Sequence, residues 1–352
     1  MNKGEKMKIA IIADSHFGCR KNSQYFMKQQ KKYYEECFFP YLKSKGIKII
    51  FHLGDFFDNR KTVNFETLRH AKDCFINPII KNGMILHMLI GNHDSFYKSN
   101  GDITSTKLLF DDIDNIYIYD YIEELNIHGV NFLMVPWIFP IQQEKINNIL
   151  RTTTSDVVCG HFEMNGVVFQ GNTISRKGMD TDTFSHIPHV FSGHYHKKSQ
   201  YYVGSPYEMC WSDFNDEKRI VIFDTETQDT EDVYIADPIH HKIIYPDVSD
   251  QSWMPDIKDK IIRVIVEKKE NPADFDKYIE KLESFEPHSI DIKEEYLYVD
   301  VINDDDLDDE TDTLGVLLAS IDNMDELSDG DQTVIKEIMK QLYEKAGNND
   351  KI

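Results

Sequence analysis

The chain has 352 residues, 41% of them hydrophobic and 12% aromatic, which allows a full-sized core and excludes general disorder. It holds no apolar run near the ~18 residues of a membrane span, no secretory signal within residues 1–7, and five scattered cysteines (Cys19, Cys37, Cys74, Cys159, Cys210) without a Cys-x-x-Cys pair, so a cytoplasmic protein with reduced thiols is expected. The net charge of −22 argues against a nucleic-acid partner only on average: residues 1–225 carry 26 basic and 26 acidic side chains, and the whole excess lies in residues 226–352.

In chain order, short apolar strands run into polar clusters. Lys8–Ala13 leads into Asp14-Ser15-His16; a helix-like stretch spans Tyr25–Ser44; Ile47–Leu53 leads into Gly54-Asp55; a second helical stretch covers Phe65–Asn82. Ile85–Ile90 then ends in Gly91-Asn92-His93-Asp94, and strands are expected at Asn115–Tyr119 and Val130–Trp137, the latter stopped by Pro136 and Pro140. Asp156–Cys159 enters Gly160-His161, His189–Phe191 enters Ser192-Gly193-His194-Tyr195-His196, and Ser199–Val203 and Arg219–Phe223 close the region. Strands alternating with helices and then following one another closely predict two stacked mixed sheets flanked by helices, over residues 7–225.

Beyond 225 the texture changes. Lys260–Val266 and Glu295–Val301 read as strands around a helix at Pro272–Glu283, a small α/β unit within 226–302. Residues 303–312 form an acidic linker, and 313–347 read as helical. There Val334/Ile335, Ile338/Met339 and Leu342/Tyr343 recur every four residues as one apolar stripe.

Each polar cluster alone is an ordinary turn or a core-edge histidine. Together, Asp14, His16, Asp55, Asn92, His161, His194 and His196 supply carboxylate, imidazole and amide donors at strand ends, with no thiol among them. Such donors suit manganese, iron or zinc, and seven are too many for one ion but right for two sharing a bridge.

This ordered set resembles the calcineurin-like metallophosphoesterases. Gly91-Asn92-His93-Asp94 ends in Asp, where protein phosphatases of that superfamily have Glu. Gly54-Asp55-Phe56-Phe57-Asp58-Asn59, Gly160-His161-Phe162-Glu163-Met164-Asn165-Gly166 and Tyr202-Val203-Gly204-Ser205-Pro206-Tyr207 resemble the SbcD-type DNA-repair nuclease subunits, and among them those of the T-even phages' recombination endonucleases. The resemblance implies a four-layer α/β/β/α sandwich with a small α/β capping domain and C-terminal helices. It implies two divalent ions, Mn2+ first and Mg2+ as the alternative: Asp14, His16 and His196 on one, Asn92, His161 and His194 on the other, and Asp55 bridging. A bridge of that kind holds two ions ~3.5–4 Å apart over one activated water. His93 is then left to protonate the leaving 3′-oxygen, with Asp94 orienting or charging its ring.

The implied activity is a duplex exonuclease and single-strand endonuclease acting in DNA repair and recombination. Its implied partners are DNA, an SMC-like coiled-coil ATPase docked on the apolar stripe at 334–343, with packing of that stripe on its own parent domain as the alternative, and a second copy of the chain. A phage-encoded protein in the infected bacterial cytoplasm is expected. Asp58 reads equally as support for a ligand or as the cap of the following helix. Arg20, Lys21, Arg60 and Lys61 are candidates for DNA phosphates, with plain solvation as the alternative, and Tyr207 and Trp211 for base stacking, with packing as theirs. His52, His87 and His128 read as structural. A small-substrate phosphoesterase and a non-cutting DNA-end scaffold are the competing functions, the second disfavoured because no ligand has been lost.

Overall fold

Ile9, Ile11 and Ala13 point to one side of the first strand, Ala10 and Ile12 to the other, and all five are fully buried. A strand buried on both faces must lie inside a layered structure. The computed structural model describes residues 7–170, 173–246, 254–269, 271–294, 332, 334–336, 338 and 339. Its two principal sheets draw on β1 (Lys8–Ile12), β2 (Ile49–His52), β3 (Ile85–Leu89), β4 (Ile116–Tyr119), β5 (Glu123–Ile127), β6 (Val130–Val135), β7 (Val157–His161), β8 (His189–Gly193), β9 (Ile220–Asp224) and β10 (Thr230–Val233). One sheet has the order β10-β9-β1-β2-β3-β4, with β1 to β4 parallel; the other has the order β8-β7-β6-β5, with β8, β7 and β6 parallel.

Ile9, Ile11, Phe51 and Leu89 of the first sheet meet Phe132, Met134, Val157 and Cys159 of the second in one inter-sheet core. The outer face of the first sheet is covered by helical residues such as Tyr34, Phe38, Leu42, Phe75 and Ile79. The outer face of the second packs on Ile146 and Leu150 of the helix Gln143–Thr152. The result is the expected α/β/β/α sandwich.

The two long helices run over Gln24–Lys45 and Phe65–Lys81, and each contains a proline, Pro40 or Pro78. Each widens to a π-helical turn just before it, at Tyr33–Phe38 and Lys72–Ile76. A widened turn accommodates a residue that has no N–H and whose ring would crowd the carbonyl four positions back. The same stretches deliver Tyr34, Phe38 and Phe75 into an aromatic cluster. Phe75 lies 5.1–6.2 Å from the rings of Phe17, Tyr34, Phe38, Phe39, His52 and Phe56. Phe17 follows His16 and Phe56 follows Asp55, so two loops at the ends of β1 and β2 are anchored in this cluster.

Two expectations differ from what is observed. Ser199–Val203 contributes only a single bridge, Tyr202 to Ser192. The Arg219 guanidinium donates to the carbonyls of Ser199, Tyr202 and Val203, which a ladder would otherwise use. The main sheet also continues past residue 225 into β10, whose Thr230, Glu231 and Asp232 are exposed on an edge and so carry no apolar signal.

The chain divides into two compact units. One holds the residues up to His241 with Ile257–Ile261 and Glu286–Ser289; the other holds Lys242–Asp256, Ile262–Phe285 and the residues from Ile290 onward. Strands at His240–Tyr245, Ile261–Val266 and Ser289–Glu294, the greater part of each in the second unit, form a three-stranded sheet. Its helix, Pro272–Glu283, is capped by the Asn271 side chain on the Ala273 amide and buries Phe275, Tyr278 and Leu282. A strand that was not expected follows this helix at Ser289–Glu294; the expected one at Glu295–Val301 falls outside the described residues. Residues 334–336, 338 and 339 are helical, with Val334 and Ile338 exposed and Ile335 and Met339 half-buried. The acidic linker, 313–321, Leu342 and Tyr343 lie outside the described residues.

Replacing Phe75 by Ala is expected to lower the unfolding free energy by ~3–5 kcal/mol. Urea denaturation checks this; a change below ~1 kcal/mol would show that the cluster does not anchor the fold.

Candidate metal centre

Parallel neighbours in a sheet present their carboxyl ends on the same edge. The loops after β1, β2 and β3 carry Asp14 and His16, Asp55, and Asn92 to Asp94; β7 ends in His161, and His194 and His196 follow β8. The loops are laced by backbone hydrogen bonds from Asp14 N–H to the Gly54 carbonyl (3.1 Å) and from His16 N–H to the Asp55 carbonyl (3.0 Å). The His194 N–H donates to Asp14 Oδ1 (2.9 Å), tying the two sheets' loops together. Asp14, His16, Asp55 and His194 all have positive φ (54°, 42°, 55° and 97°), a conformation that residues with a side chain avoid. Each such residue costs about 1–3 kcal/mol and persists where its surroundings enforce it, most often at functional sites.

The seven predicted ligands converge. Donor atoms of Asp14, His16 and His196 form one group and those of Asp55, His161 and His194 another, within 4.8 Å in each. Asp55 stands between them: its Oδ2 lies 3.2 Å from His161 Nε2 and 3.7 Å from His16 Nε2, while its Oδ1 accepts the His93 N–H (2.9 Å). Asn92 Oδ1 joins the second group, 2.8 Å from His161 Nε2 and 3.0 Å from His194 Nδ1. The Leu53 carbonyl, 2.7 Å from His161 Nδ1, can only accept, so Nδ1 carries the proton and Nε2 faces the donors.

The donor set fits divalent cations. Asp14 Oδ2 is buried and accepts no hydrogen bond, and the Nε2 atoms of His16 and His196 face each other at 3.1 Å. A cation there would give each of these three atoms a partner.

Glycine is required at Gly91 by close approach, since a Cβ would collide with the carboxylate and amide of Asp55. Gly54 has φ +93° and lies against the ring of His161. These two positions let the β2 and β3 loops touch.

Electrostatics follow from burial. Desolvation pulls His16 down, but its ion pair with Asp58 and the charge of Asp55 outweigh this and hold its pKa at about 9. His161 is also desolvated, and Asp55, by charge and hydrogen bond, raises it to about 9. Burial and the neighbouring His161 lower His194 to about 3. Burial raises Asp14, whereas the surrounding histidines outweigh burial at Asp55 and hold it well below the usual carboxylate range.

His93 lies beside this centre. Its Nδ1 meets the Asp58 carbonyl at 2.5 Å and its ring packs edge-on to His16, 4.9 Å between centroids. His93 also forms a third donor group with His16 and Asp55. Asp94, expected on the His93 ring, instead accepts the amides of Phe56 (3.1 Å), Phe57 (3.3 Å) and Gly91 (2.9 Å) and so clasps the β2 and β3 loops. The Asp58 carbonyl is the group that meets the ring. Asp58 also pairs with His16 (3.3 Å), and Asn64, not Asp58, caps the following helix.

The candidate DNA contacts divide. Tyr207 is buried, donates to the Ser15 carbonyl (2.5 Å) and packs on Tyr33, so it is a core residue and not a stacking platform. Arg20 donates to the Met209 carbonyl and Arg60 to the Asn92 carbonyl (2.6 Å), both half-buried, while Lys21 and Lys61 are exposed. Trp211 packs on His240. His52 bonds Ser15, His87 bonds Tyr119, and His128 with Gly129 turns the β5–β6 hairpin through positive φ. The sequence reading missed Trp137, whose ring lies 5.2 Å from His194 and 5.9 Å from His161. Its place just after β6 was the available signal.

Residues 7–198 match the calcineurin-like phosphoesterases. With this site at the strand ends of this sandwich, the chain belongs to that family and is a metal-dependent enzyme of phosphate-ester hydrolysis. It is 27% identical over 346 residues to exonuclease subunit 1 of Enterobacteria phage T4, covering 97% of this chain and 99% of that one. Two solved structures are distant likenesses, each 13% identical. A novel archaeal phosphodiesterase is matched over 64% of this chain and 99% of its own at a TM-score of 0.34. A purple acid phosphatase from yellow lupin (Lupinus luteus) seeds is matched over 63% and 50% at 0.35.

Cations entering this site must displace the protons on His16 and His161. Between about pH 6.5 and 9, manganese uptake is therefore expected to release protons and to strengthen as pH rises. Calorimetry at pH 7.5 in two buffers of different ionisation enthalpy measures this, and buffer-independent heats would contradict it. Gly91→Ala is expected to abolish bound metal, as read by elemental analysis of the purified protein; full retention would show that the β2 and β3 loops need not touch.

Proposed function

We propose that this chain is the nuclease subunit of a DNA break-repair and recombination complex, an exonuclease on duplex ends and an endonuclease on single strands. The reading rests on one observation: the Asp55 carboxylate stands between two His/Asp groups in a chain that aligns end to end with a phage exonuclease subunit. Asp14, His16 and His196 would hold one divalent ion, Asn92, His161 and His194 the other, and Asp55 both, with Mn2+ favoured by the mixed imidazole and carboxylate donors and Mg2+ as the alternative. Bound there, such ions supply Lewis-acid charge to the phosphoryl oxygens and lower the pKa of water.

His93 does the proton work. The Asp58 carbonyl can only accept, so Nδ1 keeps its proton and Nε2 is the atom that gives one up to the departing 3′-oxygen. Asp94 acts at one remove by fixing the loops that carry His93 and Asp55. The exposed Lys21 and Lys61 are suited to backbone phosphates, and Trp137 walls the pocket by the second group.

The unit after residue 226 would cap the nuclease and steer DNA. Val334 and Ile338, exposed one helical turn apart, would dock with the rest of the stripe on an SMC-like coiled-coil ATPase. The chain would act as a homodimer in the infected cell's cytoplasm; no helix among the described residues is long and apolar enough to cross a membrane.

Purified protein should cut end-labelled duplex and circular single-stranded DNA with manganese, less with magnesium and not with EDTA. His93→Ala should lose ~10²–10⁴ in rate with its metal content intact. Hydrolysis of a small phosphodiester with neither DNA cut, alone or with the ATPase, would replace this reading with a small-substrate phosphoesterase.

A further inference from the structure

Outside the donor set lies a buried ion pair that the chemistry above does not use. Lys218 and Asp213 are 7% and 2% exposed, and their charged atoms are 2.7 Å apart. An ammonium group has three N–H donors, and here three acceptors surround it: Asp213 Oδ1 (2.7 Å), Ser205 Oγ (3.0 Å) and the His196 carbonyl (3.2 Å). The same His196 carbonyl accepts the Ser205 N–H (3.0 Å). Asp213 is fixed in turn, its Oδ2 accepting the amides of Met209 (2.8 Å) and Cys210 (3.2 Å).

A buried pair of this kind adds little stability over an apolar pair of similar volume, so its retention asks for another reason. The reason on view is its third contact. His196 sits on an irregular loop after β8, where no ladder fixes the backbone, yet its ring must bring Nε2 against His16. The opposite half of the same donor group is held in a like manner: the buried Gln30 amide donates to the carbonyls of Ser15 (3.2 Å) and His16 (3.3 Å).

We propose that Lys218, held by Asp213, is a positioning residue for His196 and selectively sets the affinity of the Asp14/His16/His196 ion site. The inference rests on the two-ion reading above. Removing partners that orient metal ligands typically weakens metal binding ~10–100-fold. The second group, which has its own supports in the Leu53 carbonyl and Arg60, should be spared.

The test is a manganese titration followed by electron paramagnetic resonance, with a thermal melt of each protein. Two variants are compared with wild type: Lys218→Met with Asp213→Leu, which removes both charges together, and Lys218→Arg, which keeps the charge but not the three-donor geometry. Wild type binding fewer than two equivalents would defeat the two-ion reading itself. If wild type binds two, the expected result is a cooperatively melting variant in which one equivalent is at least tenfold weaker and the other unchanged. A folded variant that binds both equivalents as wild type does overturns the inference. So does equal weakening of both, or failure of both variants to melt cooperatively, which would assign the pair to the fold alone.

Discussion

The Asp55 carboxylate has to lie within reach of His161 on one side and His16 on the other while its second oxygen takes the His93 amide. Those partners come from the loops after β1 and β3 and from the last residue of β7, in two sheets. The parallel order β1-β2-β3 puts the first loops side by side, and the parallel β6-β7-β8 run brings His161 and His194 to the facing edge. Glycine at Gly91 and Gly54 permits the approach, and left-handed backbone at Asp14, His16, Asp55 and His194 turns the side chains inward. Asp94 then ties the β2 and β3 loops through three amides.

Strain concentrated in this way needs a rigid foundation. Below the loops it is the aromatic cluster around Phe75, into which Phe17 and Phe56 are packed directly beside the site residues they follow. Behind them runs a polar layer: Ser15 between Tyr34 and His52, Gln30 and Tyr207 on the Ser15 carbonyl, and Lys218 on the His196 carbonyl. Buried donors and acceptors are tolerable only when satisfied, and a satisfied network has few alternative arrangements. The proposed nuclease chemistry would draw on that rigidity, because ion sites and a proton donor work only when held in register.

Much of the site was legible because chemistry at the ends of buried strands leaves a pattern: an apolar run, then a turn, then polar residues of ligating type. All seven proposed ligands were found from it, and the geometry groups them. What escaped lacks such a signature. Trp137 is apolar rather than of ligating type, and its place just after β6 was the one mark it carried. Whether Asp58 supports a ligand or caps a helix depends on a distance, as does the carboxylate of Asp94, which the sequence placed on the neighbouring ring and the structure places on backbone amides. Tyr207 illustrates the converse, an aromatic near a motif that folds into the core. Strand β10 was hidden because edge strands with charged faces resemble solvated loops.

Anomalous diffraction at the manganese edge, from crystals grown with that ion, tests the central claim most directly. Two peaks flanking Asp55 Oδ2 are expected, one against Asp14, His16 and His196 and the other against Asn92, His161 and His194. A single peak, or two peaks that do not share Asp55, would contradict it.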